Sequence, residues 1–196
     1  MKKRDRNFLI AIIVLAAIFI FIAFCIKFDF LFSGIDKKLS SFFFLHQSDI
    51  GIKIMKSFSF LASLYFLPIF SAIIAAFFYF NRMGKMALFY LFNVVFGAVI
   101  GEGIKSFFGR ARPLNPFENN PSFPSTHSLM AVVVYCSFAW IFWNKNRRIS
   151  YIFLVLPLII GFSRIYLNVH WLSDVLGGFV FGILLVISFV WLFDVD

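Results

Sequence analysis

The residues able to do chemistry in this chain fall into clusters: Lys105 to Pro113 (KSFFGRARP), Pro124 to His127 (PSTH) and Ser163 to Asp174 (SRIYLNVHWLSD). His170 and Asp174 are four apart, so on a helix they share a face. An aspartate accepting from one imidazole nitrogen fixes the tautomer and leaves the other nitrogen free to act as a nucleophile. His127, in a different segment, can act as general acid toward a leaving oxygen. Around these groups stand Lys105, Arg110, Arg112 and Arg164, with Glu102, Glu118 and Asp174 as the nearby acids. With Asp174 engaged by a histidine, the cations outnumber their available partners, and such a cavity calls for an anion. Arginine offers a planar donor fork and lysine a compact point charge. Pro124-Ser125-Thr126-His127 precedes an apolar run, so Ser125 or Thr126 is an expected N-cap. A helix start favours bound phosphate through its amides and its dipole. Two arginines, a lysine and a helix start favour phosphate over carboxylate. No acidic cluster or Cys/His array suits a metal and no cofactor is expected, so the cations must stabilise a transferring phosphoryl group themselves.

Each piece alone has a structural reading. Lys105 at a helix end can snorkel or meet the helix dipole. A His-x-x-x-Asp pair can be a simple hydrogen bond, PSTH a simple helix start, and Glu102 can pair with Lys105 three residues on. Arg110 is left outside the site, with topology or contact at the phosphate rim as its options. Joint occurrence on one face is what favours chemistry.

The elements that must position these residues follow from composition. The chain has 196 residues, 62% of them hydrophobic and 32 of them Phe; only 14% are charged, against roughly 25% in an ordinary soluble domain. This composition implies an all-α polytopic membrane protein, with residues 1–196 forming a single domain of six transmembrane helices in one bundle. A span needs about 20 apolar residues. The expected spans are Phe8 to Ile26, Phe58 to Phe80, Met86 to Ile104, Ser125 to Trp143, Ile149 to Leu167 and Trp171 to Phe193. The first follows a basic head but lacks a small-residue cleavage site, so it reads as a retained helix rather than a signal peptide. Pro68 and Pro157 fall inside spans, where a membrane helix tolerates a kink.

The net charge of +9 comes from short basic clusters between apolar runs, which points to topology and anionic lipid or substrate rather than nucleic acid. Lys2, Lys3, Arg4, Arg6, Arg82, Lys85, Lys145, Arg147 and Arg148 crowd three very short segments, while the remaining Lys and Arg are spread through longer, mixed ones. The positive-inside rule then places both termini in the cytoplasm. Six spans bring Lys105–His127 and Arg164–Asp174 out on the same, external face. The first external connection, Lys27 to Ser57, mixes Phe, Ile and Lys and reads either as a helix in the headgroup region or as a greasy loop. His46 within it has no expected chemical role. Gly97/Gly101 and Gly178/Gly182 make GxxxG spacings suited to close helix packing. Cys25 and Cys136 lie in apolar runs and read as small lipid-phase or core residues.

These motifs resemble the type 2 phosphatidic acid phosphatase superfamily, whose pattern is K-x6-RP, PSGH and SR-x5-H-x3-D. Lys105 to Pro113 matches the first part and Ser163-Arg164…His170…Asp174 the third. The second reads PSTH, with Thr126 where the family usually has Gly. That departure keeps the histidine and bears on how the local backbone approaches a phosphate. The resemblance implies a metal-independent phosphatase acting through a phosphohistidine on His170, with Asp174 orienting it and His127 protonating the leaving group. Lys105, Arg112, Ser125 and Arg164 would bind phosphate, and Thr126 would add a backbone amide. The superfamily also includes soluble haloperoxidases that bind vanadate in the same pocket; the continuous apolar spans argue against that branch. The leading expectation is a lipid phosphatase of a bacterial cytoplasmic membrane, with its pocket at the outer headgroup level. Its candidate substrates are undecaprenyl diphosphate, phosphatidylglycerophosphate, phosphatidic acid and lipid A phosphates. The alternatives are a lipid phosphotransferase on the same fold and a transporter or lipid-binding membrane protein without turnover.

Overall fold

The computed structural model describes residues 2–113 and 120–195, and their regular structure is entirely helical. The helices are α1 (Lys3–Lys27), α2 (Ser33–His46), α3 (Asp49–Phe60), α4 (Phe66–Phe80), α5 (Gly84–Phe108), α6 (Thr126–Phe142), α7 (Arg147–Tyr166) and α8 (Leu172–Phe193). Four of them, α1, α5, α7 and α8, are long and apolar enough to cross a membrane. Helix α6 contains one wider π turn, Val132–Cys136.

The expected span from Phe58 to Phe80 is not one helix. The chain leaves α3 at Phe60 and restarts at Phe66, so α4 has 15 residues, or roughly 22 Å at 1.5 Å per residue. Pro68 explains the break. Within a continuous helix its ring would meet the carbonyl of Leu64 and remove a hydrogen bond. As the third residue of α4 it lacks only an amide that has no intrahelical partner anyway. Ser63 helps the restart, its hydroxyl accepting from the Phe66 amide at 3.2 Å. Pro157, by contrast, stays inside α7. The first connection resolves as helices, α2 and α3, with Ser48 capping α3 by accepting from Gly51 at 3.1 Å.

The ends of the bundle are chemically distinct. At one end Arg4 pairs with Asp194, and Lys85 Nζ donates to the Asp194 backbone carbonyl at 2.6 Å. Both chain ends and the α4–α5 turn therefore meet there. Lys105 lies 20 residues beyond Lys85 on α5, about 30 Å away along the helix, so the motif residues gather at the opposite end.

Helix α6 is wedged between α5 and α8. A Cβ added at Gly97 would lie 3.2 Å from Val133, and one at Gly101 would lie 3.3 Å from Leu129. On the other side, a Cβ at Gly178 would come within 2.8 Å of the Ser125 carbonyl, and one at Gly182 within 2.8 Å of Val132 Cβ. Both GxxxG pairs thus receive the same helix, the close approach that such spacing permits. Phe123, fully buried, anchors the segment before α6 in a socket left by Gly177. Its ring sits 5.0 Å from that of Phe108 and 5.9 Å from that of Phe19.

A Gly178→Ala substitution should therefore lower the melting temperature in detergent, since overpacking against backbone costs about 1–3 kcal/mol. Gly103→Ala, which meets open space, should be neutral or stabilise by up to about 1 kcal/mol. Equal melting temperatures for the two variants would contradict this packing.

Candidate active site

The end of α7 turns back on itself. Asn168 takes a left-handed conformation (φ 54°), one that Asn tolerates better than most residues, and its side-chain oxygen accepts from Ser40 of α2 at 2.6 Å. The Arg164 carbonyl then accepts from the amides of Val169 (3.2 Å) and His170 (3.4 Å). This places His170, only 2% exposed, just before α8 begins. Asp174 is the third residue of α8. Its Oδ2 accepts the Trp171 amide at 3.0 Å, as a capping-box acid does. The same oxygen lies 3.4 Å from His170 Nδ1, and Oδ1 accepts from Arg110 Nη1 at 2.5 Å.

Gly109 ends α5 with φ 57°, its amide bonded to the Lys105 carbonyl at 3.0 Å, a left-handed cap that glycine takes at no steric cost. The arginine strip leaves α5 there. Ser122 bonds the Arg110 carbonyl at 2.8 Å, and Trp171 Nε1 bonds the Ala111 carbonyl at 2.9 Å. The two arginines reach opposite sides of His170. Arg110 holds Asp174, whereas Arg112 lies on the far side of the ring. Arg112 donates to the Val169 carbonyl (2.7 Å) and to the backbone and side-chain oxygens of Asn120 (both 2.8 Å). Its Nη1 also stands 3.0 Å from His170 Nε2. A guanidinium only donates, so Nε2 carries the lone pair and Nδ1 the proton. Burial, then the charges of Arg164, Arg112 and Lys105, holds the His170 imidazole well below the usual histidine range; a hydrogen bond to the Ser122 backbone opposes them less strongly. The ring is neutral at pH 7, with its nucleophilic nitrogen on the side of the cations.

That side is a cavity of about 540 Å³. Lys105, Arg112, Thr126, His127 and His170 line its polar part, with Glu102 and Asn120; Leu67, Pro68, Val94, Ala98 and Met130 line an apolar part. Ala62, Ser63 and Leu64, from the break between α3 and α4, line it too. Thr126 Oγ1 donates to Glu102 at 3.1 Å. Ser125 and Arg164 stand behind the wall. Ser125 is fully buried as the N-cap of α6, accepting from the Ser128 amide (3.4 Å) and hydroxyl (3.0 Å), and its own amide bonds the Asp174 carbonyl at 3.0 Å. Arg164 donates to Ser59 of α3 at 2.6 Å, and its charge bears on both His127 and His170.

Lys105, Arg112, Thr126, His127 and His170, far apart in sequence, thus meet in one cavity, with Asp174 and Arg164 directly behind. Sequence reasoning left Arg110 outside; the structure puts it on Asp174, Ser173 (2.8 Å) and Asp36 (2.9 Å). Asp36 was missed altogether. A signal for Arg110 existed: a buried carboxylate has two oxygens to satisfy, and His170 can account for only one. His46 bonds the Phe42 carbonyl and stacks on Phe42, while Glu118 lies outside the described residues.

The family model of the PAP2 superfamily matches residues 86–195. Phosphatidylglycerophosphatase B of Bacillus subtilis (strain 168) is 36% identical over 136 residues, 63% of this chain and 66% of that protein. The undecaprenyl-diphosphatase BcrC of the same organism is 38% identical over 72 residues, 37% of this chain and 35% of that one. The matches thus span just under two-thirds and about one-third of these relatives. The crystal structure of a transmembrane PAP2-type phosphatidylglycerolphosphate phosphatase from Bacillus subtilis superposes with a TM-score of 0.82 at 27% identity, covering 91% of this chain and 93% of that one. With the motif residues gathered at one end of a helical membrane bundle and more than half the length matched, the chain belongs to the PAP2 superfamily.

Proposed function

We propose that the protein is a metal-independent lipid phosphatase that works through a phosphohistidine on His170, with residues 1–196 acting as one domain. The observation that carries this reading is His170 Nε2, which stands 3.0 Å from Arg112 Nη1 in a cavity shared with Lys105 and His127. In the proposed first step the negative charge of the bound phosphate keeps His127 protonated; Nε2 attacks phosphorus and the bond to the leaving oxygen breaks, while His127 gives that oxygen its proton. In the second, His127 takes a proton from water, the water oxygen bonds phosphorus, the N–P bond breaks and inorganic phosphate leaves. Lys105 and Arg112 hold the equatorial oxygens, where charge accumulates, and Arg164 adds its charge from behind the wall. Ser125 supports the phosphate site as the cap that sets the start of α6, and Thr126 lends its first-turn backbone. Asp174 fixes the ring and stabilises the positive charge that His170 acquires.

The apolar part of the cavity suits a lipid tail. Leu64 and Tyr65, each 81% exposed, project from the α3–α4 break beside its mouth, where a bilayer would meet them. The names of the relatives, a phosphatidylglycerophosphatase and an undecaprenyl-diphosphatase, support this class; undecaprenyl diphosphate, phosphatidylglycerophosphate, phosphatidic acid and lipid A phosphates all join a phosphate to a membrane-buried tail. In the proposed topology α1 and α4–α8 are six spans of a bacterial cytoplasmic membrane. Both termini face the cytoplasm under the positive-inside rule, and the cavity opens on the periplasmic or extracellular side. Helices α2 and α3 lie in the outer headgroup region.

Purified protein should release phosphate from members of this lipid panel with chelator present, and His170→Ala should lower kcat by about 10³-fold or more. Full activity in that variant, or complete loss in chelator, would overturn the assignment. Nitrogen NMR of labelled protein, assigned with His170→Gln, should show His170 neutral from pH 8 down through pH 6.5, because its depressed pKa lies below that range. A midpoint at or above 6.5 would contradict the burial and charge that surround it.

A further inference from the structure

Resting on the phosphatase reading, we propose that Asp36 and Arg110 are a positioning pair through which α2 sets the charge and orientation of Asp174. Neither belongs to the set of residues that would touch phosphate, and Asp36 comes from a connection outside all three motifs.

Asp36 is 2% exposed. A carboxylate at that depth must be compensated by charge and hydrogen bonds. Its Oδ2 accepts from Arg110 Nη2 (2.9 Å) and the Ser173 hydroxyl (2.5 Å), and its Oδ1 from the Ser173 amide (3.1 Å). Ser173 is the second residue of α8, whose N-cap is Trp171, a residue with no side-chain acceptor. Asp36 therefore caps α8 from a distant part of the chain, supplying the acceptor and the negative charge that a helix start favours. Arg110 completes the link, its Nη1 shared between Ser173 Oγ (2.8 Å) and Asp174 Oδ1 (2.5 Å). Two further bonds tie α2 and the residue after it to the segment carrying His170: Ser40 to Asn168 (2.6 Å) and Gln47 to the Tyr166 carbonyl (2.6 Å).

The charge arithmetic gives the pair a consequence for the reaction. Arg110 alone would cancel Asp174, leaving His170 beside a neutral ion pair. With Asp36 the group sets two carboxylates against one guanidinium, so its formal charge on that side favours the imidazole as it becomes positive on attack. The Nδ1–Oδ2 separation of 3.4 Å is long for a hydrogen bond. Orientation of the carboxylate and the field of the whole group therefore matter more than one tight contact. Removing the Asp36 charge should weaken the transition state more than the bound substrate.

Asp36→Asn keeps the shape and one acceptor while removing the charge. It should lower kcat about tenfold with KM within about twofold, an effect confined to the transition state. Inhibition supplies a readout that a purely structural role would not move. Orthovanadate takes a fifth ligand from an imidazole nitrogen, whereas inorganic phosphate at equilibrium is held by the cations alone. The inhibition constant for orthovanadate should rise about tenfold in Asp36→Asn while that for phosphate stays within about twofold. Unchanged kcat, or equal weakening of both anions, would overturn the proposal. If Asp36→Asn lacks a cooperative melt in detergent, Ser173→Ala, which removes only the hydroxyl link, is measured instead. It should show the same split at about threefold, and its absence would overturn the proposal equally. Wild-type protein that releases no phosphate from any lipid phosphate would instead sink the phosphatase reading itself.

Discussion

The buried carboxylate of Asp174 is the constraint on which the rest of the site depends. A fully buried ionised group survives only if both oxygens are bonded and its charge is answered. Here the Trp171 amide, Arg110 and His170 share the work. Satisfying that one group brings together the start of α8, the strip after α5 and, through Asp36, helix α2. His170 inherits its position from this arrangement. Its Nδ1 is turned toward Asp174, so its Nε2 is left on the cavity side among cations that disfavour protonation.

Packing makes the arrangement rigid. Helix α6 carries His127, and it is seated by glycines on α5 and α8, the helices that bring Lys105 and Asp174. The glycine pairs are remote from the chemistry in sequence logic but set the distance between its parts. A side chain at Gly178 would press on the Ser125 carbonyl, next to the bond that joins Ser125 to Asp174. The π turn in α6 lies about two turns further along the same helix, where Val132 meets Gly182.

Much of this was legible in the residues. Five of the expected spans correspond to helices within a few residues, because apolar runs bounded by charge leave little choice in a membrane. Lys105, Arg112, His127, His170 and Asp174 could be read because chemistry limits which residue types recur at such spacings. Pro68 reads in the sequence as a kink and is a break, since a proline early in a helix is also a start signal and composition does not distinguish the two. Ser125, a phosphate ligand by resemblance, serves in the structure as the cap of α6, its oxygen accepting from the Ser128 amide and hydroxyl. Asp36 had no local signal. It is an acid beside two lysines in an amphipathic stretch, and its partners lie 74 and 137 residues away. Long-range charge compensation of that kind leaves no periodicity to find.

The central claim is that Nε2 of His170 takes the phosphoryl group from a lipid in a pocket built of cations. Rapid quenching of the wild-type protein during turnover of a radiolabelled lipid phosphate, followed by mapping of the labelled peptide, tests it most directly. The account predicts an acid-labile, base-stable phosphate on His170. Turnover with label on another residue, or with no covalent label at any quench time, would contradict it.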